Sequence, residues 1–227
     1  MGTLTRRTTA LRRALLAALA ALVLAAAPAR ALDPGAARSL VEGAIADIIA
    51  LLASGAGPER AVPELRRIIE TRSSVPALAR YAAGPHWAGM DEGQRARFTD
   101  AFAASVSATY GRQFAGYDVR AEDLHRHVAV SGVTDAGAKG LYVRVAITPP
   151  GAPAVEMGFL VSDRPGRPVI VDMTVAGISL AITQREILQD MFASRGGDVE
   201  RLIADLSAAA DRQAAPELCR ADDPFRC

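Results

Sequence analysis

The sequence predicts an α+β fold: a curved antiparallel sheet of about four strands, with about six helices laid across it. Two observations carry this reading. Apolar residues recur at helical spacing as far as Tyr110, and after Tyr117 they alternate with polar or small residues instead. The alternating segments are joined by short turns, which makes an antiparallel meander. Helices first and strands later argue against a parallel α/β sheet.

The first 31 residues stand apart from this domain. Arg6, Arg7, Arg12 and Arg13 form a basic start, and Ala14 to Ala27 is an apolar stretch too short to span a bilayer. Ala29-Arg30-Ala31 is a small-residue cleavage signal. Residues 1–31 are therefore expected to be a cleaved export signal, 32–213 the folded domain and 214–227 a tail. The whole chain has 26 Lys+Arg against 25 Asp+Glu. The leader holds Arg30 besides the four arginines above and no acid, so its removal leaves a net acidic domain. Such a domain lacks the basic surface that phosphate backbones require, and no nucleic acid is expected as a partner. Cys219 and Cys227 both fall in the tail; in an oxidising compartment they are expected to close a small disulfide loop.

Asp33-Pro34 starts the first helix, with Asp as cap and Pro in the first turn. Leu40, Val41, Ala44, Ile45, Ile48 and Leu52 follow at helical spacing until Ser54-Gly55-Ala56-Gly57-Pro58 breaks it. A second helix carries Val62, Leu65, Ile68 and Ile69. A short third begins at Ser74-Val75-Pro76 and stops at Gly84-Pro85. Asp91 and Gln94 have capping-box spacing, and the long helix after them carries Phe98, Phe102, Val106 and Tyr110. Four strands are then read from Val128 and Val130; from Leu141, Val143, Val145 and Ile147; from Val155, Met157, Phe159 and Val161; and from Val169, Val171, Met173 and Val175. Each has one apolar face. Two last helices, about 179–195 and 198–213, return to the sheet.

The reactive side chains point to no familiar chemistry. Gly177-Ile178-Ser179-Leu180-Ala181 has the outline of a nucleophile elbow. However, His86, His125 and His127 all precede Ser179, and the sheet is a meander. Gly177 is better read as permitting the turn, and Ser179 as capping the next helix. Asp172 would act as a base only in a pocket; it alternates out of phase with Val171 and Met173, so it is expected to face away from the apolar side, toward a basic partner. His125 and His127, two apart, would share a face of a strand, but no third ligand is marked near them and no metal site is expected. An isomerase or hydrolase using Asp172 or Ser179 is the rival reading.

Two blocks carry a family resemblance. One runs Tyr81-Ala82-Ala83-Gly84-Pro85-His86-Trp87, then Gln94-Arg95-Ala96-Arg97-Phe98-Thr99-Asp100-Ala101-Phe102, then Thr109-Tyr110. The other is Val171-Asp172-Met173-Thr174-Val175-Ala176-Gly177-Ile178-Ser179-Leu180. Together they resemble the MlaC / toluene-tolerance family. In the second block Ala176 stands where that family usually has Glu, and Ile178 where it has Val. The resemblance implies an NTF2-like domain and a monomeric periplasmic carrier, with phospholipid acyl chains in an apolar cavity and no cofactor. It also implies partners in an inner-membrane ABC-transporter complex and an outer-membrane lipoprotein complex. A hopanoid-associated branch makes a hopanoid-related cargo the alternative.

Physics agrees with such a role. Each CH₂ removed from water is worth ~0.8 kcal/mol, so two acyl chains represent on the order of 20 kcal/mol of gross transfer. Shape and apolar lining meet that need without chemistry. The expected lining is Val143, Val145, Met157, Phe159, Val171 and Met173 from the sheet, Phe102, Val106 and Tyr110 from the long helix, and Ile178 at the turn.

Overall fold

The computed structural model describes residues 32–115, 120–148, 151 and 153–214. The leader, Cys219 and Cys227 lie outside them.

Asp33 caps helix α1 (Pro34–Ala53), its carboxylate accepting from the Ala36 amide at 2.8 Å. After the Gly-containing break come α2 (Pro58–Arg72), α3 (Val75–Ala83) and a 3₁₀ turn, Gly84–Gly89. Helix α4 (Glu92–Phe114) opens on the expected capping box. Asp91 accepts from the Gln94 amide at 2.7 Å, and the Gln94 side chain accepts from the Asp91 amide at 3.0 Å.

Before the sheet lies a short helix, α5 (Ala121–His127), where the sequence suggested strand. Its run Ala-Glu-Asp-Leu-His-Arg-His has no apolar periodicity to betray it. The strands are β1 (Val128–Asp135), β2 (Leu141–Ile147), β3 (Val155–Ser162), β4 (Val169–Val175) and a two-residue β5, Ile178–Ser179. They form one antiparallel sheet in chain order. Helices α6 (Leu180–Ser194) and α7 (Val199–Ala214) complete the described chain.

Helix α1 crosses the sheet against β1, β2 and β4. Ala37 and Val41 bury themselves there on Val143, Val145, Phe159 and Val161. The other helices build mainly on each other, although α6 also meets β4 and β5, and α5 meets β1. Helix α4 lies between α2 and α7, and α3 packs on α6. Phe98, Phe102, Phe192, Leu202 and Leu206 centre this helical cluster. A third cluster, around Leu51, Leu65 and Ile68, joins α1 and α2 to Tyr110 and Phe114 of α4. Gly111 permits the close crossing of α2 and α4, since a Cβ there would stand 2.8 Å from the Val62 Cα.

Two bulges set the register. In β1, Val130 pairs with Val145 and Gly132 with Arg144, leaving Ser131 unpaired. In β4, Leu160 pairs with Asp172 and Val161 with Ile170, leaving Val171 as the extra residue. On the opposite sheet face, the Tyr142 hydroxyl reaches Thr174 Oγ1 at 2.6 Å. It passes over Gly158, where a Cβ would collide with it at 1.7 Å.

Candidate functional site

Residues paired across an antiparallel ladder share a face, so the register defines the apolar surface directly. One row runs Val133–Val143–Phe159–Met173. The next runs Val130–Val145–Met157–Val175–Ile178 through all five strands. A third holds Val128, Ile147 and Val155.

Val128, Val130 and Val133 on β1 are half-buried, and from β2 toward β5 burial falls along this face. Val143 and Val145 are sealed under α1, at 0% and 1% exposure. Met157, Met173 and Val175 are half-buried. Ile178 is 65% exposed and Val155 36%. The apolar surface thus runs without interruption from a packed core to an open rim. Between α4 and α6 the Tyr110 hydroxyl accepts from the Gln184 side-chain amide at 3.4 Å.

This arrangement joins five of the ten residues expected to line a site: Val143, Val145, Met157, Phe159 and Met173 share one apolar face. Ile178 extends it. Three others fall elsewhere. Phe102 and Val106 belong to the helix-only cluster, because α4 turns that face toward α7 and not toward the sheet. Tyr110 sits in the third cluster. Val171 is the correction with the clearest cause. Strict alternation put it beside Met173, but the bulge takes it out of register and places Ile170 with Val161. Val175, which the same alternation marked as apolar, belongs to the site row.

The polar candidates resolve into structure. The Ser179 hydroxyl donates to Asp172 Oδ2 at 2.7 Å and accepts from the Ile182 amide at 3.1 Å. Asp172 Oδ1 accepts from the amides of Met173 at 2.8 Å and Ala181 at 3.0 Å. Asp172 therefore faces the start of α6 and not the basic partner expected of it. A helix N-terminus supplies what a cation would, amide donors and a positive dipole end. Gly177 has φ +82° at the turn. His86 stacks on Phe192, with ring centroids 4.0 Å apart. His125 and His127 lie in α5, where a separation of two residues turns them to different sides of the helix instead of to one strand face. Among the described residues, no three His, Cys, Asp or Glu side chains cluster as metal ligands would.

Two clefts open among the described residues, the second bordered by Val128 and Val130 at the β1 end of the apolar face. One, of about 460 Å³, lies between the end of α1 and the start of α2, lined by Asp47, Leu51, Glu59, Arg60 and Arg67 among others. Beside it the hydrogen-bonded Arg67 guanidinium holds the Glu64 carboxyl below the usual range. Both groups face water, so their pairing stabilises little. The other, of about 300 Å³, lies between α1, α5 and β1. None of the ten expected lining residues borders either.

A family model described as MlaC protein matches residues 42–208. The chain belongs to the MlaC family. A search of the curated proteins found no match. Among solved structures, this MlaC-family chain is similar to the phospholipid-binding protein from Ralstonia solanacearum in complex with a phospholipid, determined at 1.53 Å. The two are 20% identical; the match covers 79% of this chain and 99% of that one, with a TM-score of 0.65. At that identity the likeness is one of fold.

Proposed function

We propose that this MlaC-family protein is a non-enzymatic lipid carrier of the periplasm. It holds phospholipid acyl chains against the apolar face of its sheet and carries them between membranes as the soluble component of an ABC-transporter system. The observation that carries this reading is the graded row Val145–Met157–Val175–Ile178, buried at one end and open at the other. A chain packed only for stability gains nothing from leaving Met157, Met173 and Val175 half-buried. An acyl chain laid along the row would complete their burial, at ~0.8 kcal/mol for each CH₂ taken from water. Met157 and Met173 suit tails of varying shape, being unbranched and polarisable.

Family membership and the phospholipid held by the Ralstonia protein support the cargo. The basic, apolar and small-residue zones of the leader support export. Against an enzyme of the elbow type stands the Ser179 hydroxyl, already committed to Asp172 and to the Ile182 amide.

The test is native mass spectrometry, with solvent extraction, of protein purified from its exported form. A phospholipid retained at about one per chain is the expected result. Protein that is folded and free of lipid would remove the proposal.

A further inference from the structure

We propose that the outer face of the sheet, turned away from the apolar rows, pairs with the same face of a second copy of this chain, Arg144 of each copy meeting Glu156 of the other. The inference is independent of the carrier reading and departs from the monomer that the family resemblance implies.

The strand register defines this face. Arg144 shares a row with Gly132 and Gly158, and Glu156 pairs with Ala146 in the next row. Tyr142 and Leu160 form the row on the other side. Helix α1, which packs on β1 and β2, does so from the opposite face, over Val143 and Val145. Arg144 and Glu156 are the charges that the outer rows of β1, β2 and β3 carry. Asp135, the remaining charge in these strands, pairs with Leu141 in an apolar row, and its carboxylate accepts the Gly137 amide at 2.7 Å.

Arg144 is half-buried, as are Arg66, Arg72, Arg95, Arg185 and Arg195. Those five each meet a carboxylate or a backbone carbonyl. Arg144 makes no hydrogen bond, ion pair or ring contact among the described residues, and the side chain of Glu156 makes none either. The two do not meet each other. The Arg144 guanidinium lies over β1, where a Cβ on Gly132 would stand 3.0 Å from Nη2. Glu156 lies on β3, on the other side of β2. A cation partly withdrawn from water without an acceptor is unfavourable, so this one calls for an anion from outside the chain.

The pair of opposite charges selects the occupant. An anionic lipid surface would lose to Glu156 what it gained from Arg144. A purely acidic partner would leave Glu156 opposed, and a purely basic one would leave Arg144 so. A surface with one acid and one base in adjacent rows satisfies both, and this chain carries such a surface itself. A two-fold axis lying in the interface between Arg144 and Glu156 exchanges them, so each contact is made twice. Half-buried Tyr142 and Leu160 adjoin the pair, and tyrosine and arginine are enriched where proteins meet.

The experiment is sedimentation velocity of the full exported chain over a concentration series, with circular dichroism of each variant. Wild type is expected to form a dimer. Glu156→Arg reverses an exposed, unpartnered side chain, and it should weaken dimerisation at least about tenfold without unfolding. Arg144→Glu should do the same. An equimolar mixture of the two variants should dimerise, because each then supplies the charge the other lacks, and so should the double reversal in one chain. Retained lipid should stay at the wild-type level, both charges being on the face away from the apolar rows. Wild type that stays monomeric, a dimer untouched by Glu156→Arg, or folded variants that do not rescue each other would overturn the pairing and leave the carrier reading in place. Folded protein that dimerises as described yet holds no lipid would remove the carrier reading alone.

Discussion

The carboxylate of Asp172, in the middle of β4, accepts the hydroxyl hydrogen of Ser179 at 2.7 Å across the β4–β5 turn. The same carboxylate takes the Ala181 amide, and the Ser179 oxygen takes the Ile182 amide. Two residues that a motif search would offer as nucleophile and base are one clip, fastening the last full strand to the helix that follows. The clip also fixes the direction in which Ile178, between them, leaves the sheet.

Asp172→Asn and Ser179→Ala should each cost about 1 kcal/mol of stability, the ordinary value of a helix cap or a neutral hydrogen bond. Because they remove parts of one network, the double variant should cost less than the two added together. Denaturant unfolding of the four proteins measures this. Retained lipid should be unchanged in all of them, whereas an enzymatic role would show as a turnover lost with the carboxylate.

Met157→Trp places a large ring in the centre of the proposed lipid row and should reduce bound lipid severalfold in a protein that still folds. Val171→Trp, at the bulge and out of that row, should leave loading near normal. Lipid content by native mass spectrometry compares the pair, and equal losses would count against the row.

Ala176 has φ +50° and Gly177 +82°, the backbone of a two-residue hairpin turn with both positions left-handed. A non-glycine residue there carries a steric cost of roughly 1–2 kcal/mol. Ala176→Gly relieves it but adds freedom to the unfolded chain. The expected net gain is below about 1 kcal/mol, visible as a rise of a few degrees in thermal midpoint. A fall would contradict the turn geometry.

Gly158→Ala should destabilise by about 1–3 kcal/mol, since the Tyr142 ring must leave its place over β3 and release Thr174. Combining it with Tyr142→Phe should recover little, because the ring and not the hydroxyl alone occupies the space. Tyr142→Ala should recover more. Denaturant midpoints of the three variants check this.

Much of this was legible residue by residue. Asp33, Asp91 with Gln94, and Ser179 announce their helices, because a cap is a local bargain between one side chain and the next turn. The apolar alternation through Val143, Val145, Met157 and Phe159 locates β2 and β3 and their inner face. Helix α5 was not legible: its seven residues are polar, and the place it takes against α1 depends on a helix some eighty residues earlier. Nor was the bulge at Val171. Val169, Ile170 and Val171 are all β-branched and apolar, so no residue type marks where the phase slips.

For the site, periodicity told which side of each element is oily and could not tell what lies opposite. Phe102 and Val106 repeat as regularly as Val143 and Val145, yet α7 meets the first pair and α1 the second. Side-chain spacing is set within a few residues by the helix or strand repeat, so the chain alone determined its periodic elements, their caps and its family. Which apolar face is buried and which runs out to Ile178 depends on contacts between segments far apart in sequence. Only the tertiary structure decided that.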